Sequence, residues 1–396
     1  MNKPELLAPA GSFEKLKIAI KYGADAVYIG GENYSLRANA SNFTVLDIKE
    51  AVEYAHSFNK KLYVTVNMIF HGENIKGLKE YLIDLAKIKV DAIIVADPAI
   101  IDLIKENNIP LEIHLSTQQS TINYEAINYW KDEGVKRIVL AREANRKEIK
   151  ENITKGKASI EVFIHGSMCM GYSGRCQLSS YMTARDANRG GCAQNCRWDY
   201  TLFNEENVIN NGIPFSMKTK DLCMVDHIKE LMELGVSSLK IEGRMRSIHY
   251  IGTVVNLYRK LIDNLFNDEN YELTSWYHQE VMKAANRKYA VQNFDKYPTE
   301  KEQYYTDREE KPTKEFIGIV LDNQDEYKKI EQRNYFKKGD EIEVFGPVTK
   351  NQTFIVKDVY NQKMEKIDIA RHPRQIIFLE IPFKVEVDDM LRLIKN

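Results

Sequence analysis

The 396-residue chain has no apolar run that approaches the roughly 18 residues a membrane-spanning helix needs, which argues against an integral helical membrane protein. It has almost no net charge: 56 Lys and Arg stand against 57 Asp and Glu, for −1 overall. That balance excludes a uniformly basic nucleic-acid coat, though not a local basic patch. Low-complexity tracts are missing, and with 43% apolar and 29% charged residues the composition is that of a folded globular protein. The N-terminus, Met1-Asn2-Lys3-Pro4-Glu5, runs into a strand-like segment with no signal-peptide pattern, so the expected location is the cytoplasm. Cysteine is absent before position 169, and all five cysteines fall between Cys169 and Cys223. In a reducing compartment an odd, clustered set points to metal binding or thiol chemistry rather than to disulfides.

Hydrolase signatures are also missing. There is no Gly-x-Ser-x-Gly elbow and no His-Glu-x-x-His, and the eight histidines form no spaced pair. No Gly-x-Gly-x-x-Gly turn follows the first strand, which weakens the case for a doubly wound dinucleotide fold. What is present is a repeat of short apolar runs and amphipathic helices across the first 245 residues. The runs are Leu6–Pro9, Ala26–Ile29, Leu62–Val66, Ala92–Ala96, Glu112–Leu115, Arg137–Ala141, Glu161–Ile164 and Ser238–Ile241. Rich in Val and Ile and mostly without alternation, they read as strands buried on both faces. Helices are expected at 44–59 and 247–263, with Gly23 and Gly134 as left-handed caps. Eight such strands predict an α/β fold, a (β/α)8 TIM-like barrel over residues 1–265. A Cys-rich insertion of about 167–235 precedes the last strand. A charged, Tyr-rich connector with helical pieces (Glu280–Ala285) follows at 266–312. Short strands at Phe316–Leu321, Glu341–Phe345, Thr353–Val359 and Ile376–Leu379 predict a small β-barrel at 313–396.

Functional groups of such barrels sit at the C-terminal strand ends. Here those positions hold Asn67, Asp97, Thr117, Gln118, Gln119, Arg142, Glu143, His165, Glu242 and Arg244, a set that predicts a polar, anion-tolerant pocket. His165, Glu242 and Arg244 are the catalytic candidates. Asn67, Gln118, Arg142, Arg175, Arg185 and Arg244 are the candidate binders of a carboxylate or phosphate. The cysteines are spaced C-x6-C-x15-C-x3-C, with Cys223 beyond. Thiolates at this spacing leave three readings open: an iron–sulfur cluster, a zinc site, or free thiols that include a nucleophile with His165 as base. Arg175, Arg185, Arg189 and Arg197 alternate with Tyr172, Tyr181, Trp198 and Tyr200, a mixture able to hold phosphates and stack unpaired bases.

The segments Glu5-Leu6-Leu7-Ala8-Pro9-Ala10-Gly11, His165-Gly166 through Cys169, Tyr172-Ser173-Gly174-Arg175-Cys176, Arg185-Asp186, Cys192, Cys196-Arg197-Trp198, Lys220-Asp221-Leu222-Cys223 and Lys240-Ile241-Glu242-Gly243-Arg244 together resemble peptidase family U32 over nearly the whole chain. The resemblance implies a [4Fe–4S] cluster. Similarity to a ubiquinone-hydroxylating branch implies Cys169, Cys176, Cys192 and Cys223 as its ligands, while another branch uses a C-x3-C pair, which makes Cys196 the alternative. The length and C-terminal barrel are most similar to the branch that forms 5-hydroxyuridine at the wobble position of tRNA with prephenate. That implies tRNA and a small carboxylate as partners, no membrane, and, as in some relatives, a related second subunit. The family's collagenase-like peptidases give a second reading, and a non-catalytic RNA-binding or assembly factor with a structural cluster gives a third.

Overall fold

The computed structural model describes residues 2–36, 42–210, 212–285, 287–304, 316–323 and 326–394. Eight parallel strands close into a barrel: β1 (Glu5–Pro9), β2 (Ala26–Gly30), β3 (Lys61–Val66), β4 (Ala92–Val95), β5 (Ile113–Leu115), β6 (Arg137–Val139), β7 (Ser159–Gly166) and β8 (Ser238–Ile241). β8 pairs with both β7 and β1, so the sheet has no open edge and the doubly wound alternative is excluded. All eight expected strands form, with ends shifted by a residue or two.

Helices α1 (Phe13–Lys21), α2 (Val45–Ser57), α3 (Leu78–Lys87), α4 (Pro98–Glu106), α5 (Tyr124–Asp132) and α6 (Arg146–Lys155) follow the first six strands; α7 (Ile228–Leu234) precedes β8 and α8 (Ile248–Asn267) follows it. Local chemistry starts them. Ser12, Thr44, Asp97, Asn123, Asn145 and Ser247 each accept a first-turn backbone N–H, the N-cap bond that satisfies an otherwise orphaned donor. Gly23 and Gly134 end α1 and α5 at φ of +111° and +94°, where a side chain would be strained.

The insertion leaves the top of β7, and its strand Asp221–Cys223 returns antiparallel to β7. The connector then doubles back: Tyr289–Ala290 pairs with that same strand. The expected helical piece is α9, which starts earlier than expected (Ser275–Lys283). Residues 305–312 of the connector lie outside the described residues.

The C-terminal region is an antiparallel half-barrel of eight strands: β9 (Phe316–Asp322), β10 (Tyr327–Gln332), β11 (Glu341–Phe345), β12 (Gln352–Ile355), β13 (Val359–Tyr360), β14 (Lys366–Ile367), β15 (Ile376–Glu380) and β16 (Met390–Leu393), in the order β12-β11-β16-β9-β10-β15-β13-β14. The run expected as one strand, Thr353–Val359, is two. Its halves pair with different partners, β11 and β15, so the chain must leave one edge to reach the other.

The half-barrel is joined to the barrel through buried charge and rings. Arg392, 1% exposed, donates through Nε to Glu343 at 2.6 Å and through Nη2 to Glu280 on α9. Lys283 bonds Glu343 at 2.8 Å, and the Arg392 guanidinium lies 3.8 Å from the Phe345 ring centroid. Removing one member of such a buried network strands the others. Arg392→Met is therefore expected to cost about 3–5 kcal/mol in denaturant unfolding, the range for breaking a buried pair.

His249, buried at this junction, stacks on Phe316. Burial, with repulsion from Arg392 and Lys283, holds its pKa down to about 3. Burial likewise holds His165 down to about 3, with Arg246 adding repulsion and Glu242 opposing it. The unfolded chain binds these protons near pH 6.5 and the folded one does not, so stability is intact above that pH and falls as pH drops toward 3. Well below pH 6.5 each histidine removes about 1.4 kcal/mol per pH unit. Melting temperatures between pH 7 and 5 should fall, and His249→Phe should flatten the slope.

Candidate active site at the barrel mouth

Along the barrel axis one side is apolar and the other is charged. Leu7, Ala26, Tyr28, Tyr63, Ala92 and Ile94 form a buried cluster. Opposite them, Lys240 on β8 donates to Glu161 on β7 at 2.8 Å, and Arg137 on β6 bonds both Glu161, at 3.2 Å, and Glu5. Tyr63 Oη donates to Glu5 at 2.7 Å. Burial raises the Glu161 pKa less than Lys240 and Arg137 lower it, and the carboxyl ends at about 2, fully ionised. Burial lowers the Lys240 pKa, with Glu161 opposing.

Lys240 is the floor of a pocket of about 570 Å³ at the C-terminal strand ends. Asn67, Thr117, Gln118, Arg142, Glu242 and Arg244 line its rim, with Tyr28 and Phe163 as aromatic walls. The sequence-predicted candidates therefore converge in part. Arg244, however, is already engaged: it donates to Ser35 at 2.9 Å, to Thr65, the Leu36 carbonyl and Asn42 at 3.1 Å each, and so pins the loop after β2. Arg142 donates to the Ser167 carbonyl at 2.6 Å and lies 4.1 Å from the Phe163 ring centroid, while its buried Nε has no partner among the described residues. A second, apolar cavity of about 430 Å³ sits behind Arg142 and Phe163, lined by Leu140, Val162, Leu222, Met224 and Phe294. It lacks the convergent polar groups of the mouth.

His165 is the clearest correction. Strict alternation from Glu161 and Phe163 would point it into the barrel. Instead the register moves from Lys240↔Phe163 to Ile241↔His165, leaving Ile164 as an extra residue. A bulge of this kind turns the following side chain to the other face. His165 consequently lies outside the pocket, Nδ1 3.2 Å from Tyr258 Oη, ringed by Tyr250, Tyr258 and Tyr289 and uncharged. It is not placed to act as a base in the mouth. Arg175 and Arg185 are also absent from the lining; both are exposed on the insertion.

The insertion is clamped to the rim. Ser173 donates to Glu143 through its N–H and its hydroxyl, both at 2.9 Å, and Ser120 donates to the Ser173 carbonyl. Gly174, at φ +70°, lies so close to the Gln118 carbonyl that a Cβ would overlap it. Across the mouth, Arg189 bonds Glu73 at 2.6 Å and Asn74 at 3.0 Å. Glu143 and Arg189 are anchors of the insertion.

Within it, the Cys196 thiol is pushed up by burial and then by Cys169, Cys192 and Cys176, which lie within electrostatic reach; Arg197 opposes them. Cys223 lies on the strand that returns antiparallel to β7. It packs against Tyr258, 3.8 Å away, and burial pushes it up to about 11. Five soft thiols on one insertion are, by donor chemistry, suited to an iron–sulfur cluster. Among the described residues no three His, Cys, Asp or Glu side chains already close on a metal ion. Beside the thiols, Asp221 takes Arg246 at 2.6 Å and Arg287 at 2.9 Å, and Arg197 donates to the Met168 carbonyl at 3.2 Å. Arg287 and Tyr289 were not among the sequence candidates, because the connector that supplies them carries no periodic signal.

The model of peptidase family U32 matches residues 11–304, and that of the U32 C-terminal domain matches 312–392. The chain belongs to peptidase family U32. Among its U32 relatives, tRNA hydroxylation protein P1 of Bacillus subtilis is 48% identical over 99% of this chain and 95% of its own length. The tRNA hydroxylation protein P of Haemophilus influenzae is 32% identical over 100% of this chain and 96% of its own. A 23S rRNA 5-hydroxycytidine synthase of Escherichia coli is 38% identical over 67% of this chain and 40% of its own. No helix among the described residues of this U32 chain is long and apolar enough to cross a membrane.

Gly174→Ala should unseat the insertion without unfolding the barrel. Faster proteolytic nicking between residues 167 and 200, at an unchanged melting temperature, is the expected result.

Proposed function

We propose that this chain is an iron–sulfur enzyme that hydroxylates C5 of the wobble uridine of tRNA and uses prephenate to do so in the cytoplasm. The observation that carries the reading is an insertion that bears Cys169, Cys176 and Cys192, each within electrostatic reach of Cys196, and that is bonded to the rim of a polar, cation-lined pocket. The names of the two relatives aligned end to end, both tRNA hydroxylation proteins, support the substrate class. A bound [4Fe–4S] cluster would supply electron transfer or activation of the oxygen donor.

The protein's own groups do the rest. Arg175 and Arg185, exposed on the insertion, attract phosphates. Tyr181 is 92% exposed, and with Tyr172 and Trp198 it offers flat faces to unstacked loop bases. Glu242, the one carboxylate among the described pocket-lining residues, is the group that would take or return a proton. Arg142, Asn67 and Gln118 face the same space and would hold the carboxylate cofactor.

The peptidase reading has less support. Among the described residues no serine hydroxyl or cysteine thiol is hydrogen bonded to a histidine, and His165 is sealed among tyrosines. A nucleophile–base pair is the minimum that such chemistry needs.

Nucleoside analysis of tRNA from a strain lacking the gene tests the proposal. Loss of the hydroxylated wobble uridine, restored by the parent gene, is expected; an unaltered profile would overturn it. Anaerobically purified protein should hold about four iron and four sulfide per chain. Cys196→Ser should lose iron and fail to complement, whereas Cys223→Ser should retain both; the reverse pattern would return the fourth ligand to Cys223.

A further inference from the structure

Hydroxylation as proposed calls on no amine, yet an amine forms the floor of the pocket. The Lys240 side chain is only 5% exposed. Its Nζ lies 4.6 Å from the Tyr28 ring centroid and 5.5 Å from that of Phe163, and both rings line the same pocket. An ammonium has three N–H donors, and Glu161 takes one at 2.8 Å. Burial lowers the pKa of the amine, Glu161 opposes, and Arg137 and Arg142 add repulsion. A lysine desolvated among rings and set beside other cations gives up its proton more readily, and the free amine attacks carbonyl carbon.

The charge count says which covalent chemistry this amine can host. Glu5 and Glu161 face Arg137 and Lys240, two anions against two cations. Acylation of Lys240 would remove one positive charge and strand a buried carboxylate. Condensation with a carbonyl would not, because an iminium carries the same single charge as the ammonium it replaces. Ring faces that steady the ammonium steady the iminium in the same way. Glu242, two residues further along the chain, supplies a carboxylate to the same pocket.

We infer that Lys240 is a Schiff-base lysine: its Nζ condenses with a small ketone admitted to the barrel mouth, and Glu242 shuttles the proton. Glu242 takes a proton from the ammonium, and the nitrogen lone pair then forms the C–N bond while the carbonyl π pair moves to oxygen. A proton passes from nitrogen to that oxygen and gives the carbinolamine. Glu242 returns its proton to the hydroxyl, the C–O bond breaks, and water leaves as the C=N bond forms. Ammonium and ketone become iminium and water, with charge and atoms conserved. The iminium withdraws electrons from the adjoining carbon, so the activity it serves is proton removal or bond cleavage next to a carbonyl. The inference goes beyond the hydroxylase reading and does not rest on it.

Reductive trapping on the full-length protein tests it, with acetone as probe at neutral pH and cyanoborohydride, which reduces an iminium and spares the ketone. Peptide mass spectrometry should find the isopropyl label on Lys240 about tenfold or more ahead of exposed lysines such as Lys79 and Lys363, since free amine rises about tenfold for each unit by which a pKa falls. The lead should vanish in denaturant, where Lys240 loses its surroundings. Glu242→Gln, checked for folding by circular dichroism, should slow labelling of Lys240 by about a hundredfold, the low end of what a positioned proton carrier contributes. Four results would overturn the inference: Lys240 unlabelled in the native protein, labelled no faster than the exposed lysines, still leading in denaturant, or labelled at the same rate in folded Glu242→Gln. None of these readouts depends on iron content or on tRNA nucleosides, so failure here and failure of the hydroxylase reading are separable.

Discussion

A lysine inside a barrel must be answered by a carboxylate, and the organisation of this molecule follows from how Lys240 is answered. Leaving either partner of a buried pair alone costs several kcal/mol, so β7 and β8 are locked in the one register that sets Glu161 against Lys240. Arg137 extends the contact to β6, and Glu5 carries it to β1. Four strands that must close the barrel are thus tied by charge as well as by the ladder. The same strand then continues upward to Glu242 and Arg244. One short segment supplies floor, carboxylate and loop clasp, so the floor cannot shift without the rim shifting too.

The insertion obeys a different constraint. It has little apolar mass of its own, with Tyr172, Tyr181, Trp198 and Phe203 largely exposed. Its position comes from directional bonds at the two sides of the mouth, Ser173 to Glu143 and Arg189 to Glu73 and Asn74. Such a segment is held by its bonds to the rim, and by bonds within it such as Ser179 to Asn195, more than by an apolar core of its own. That suits thiols which lie near one another yet do not close on a metal ion as they stand. A bound cluster would contribute the cohesion that side-chain packing does not.

Much of this could be read from the residues. The barrel strands were legible because Val- and Ile-rich runs of strand length recur between capped amphipathic helices, and each cap is a local property of Ser, Thr, Asp or Asn. Asn67, Gln118, Arg142 and Glu242 were legible because the fold places strand ends at one mouth. His165 was not, since a single extra residue at Ile164 reverses its direction and nothing in the local composition marks a bulge. Arg244 was legible as a mouth residue but not as one already engaged: three of its acceptors come from the loop after β2 and the fourth, Thr65, from β3, all of them distant in sequence. Cys223 stands at the end of a conspicuous motif, yet its strand pairs with β7 on the far side of that bulge, beside Tyr258. Long-range pairing of this kind is invisible to periodicity.

Separation of roles is what the geometry finally supports. Groups that are buried and held by several partners, such as Arg244, Glu161 and Arg246, are fixed by the fold and have little freedom left for a ligand. Two groups of cations lie near the mouth: Arg142 and Arg244 in its lining, and Arg175 and Arg185, exposed on the insertion. The first set faces the recess at the strand ends, and the second faces open solvent. The thiols are on the insertion between them. On the proposed reading, a small acid in the recess and an RNA base on the insertion are brought toward the same segment of chain, the one that carries the thiols.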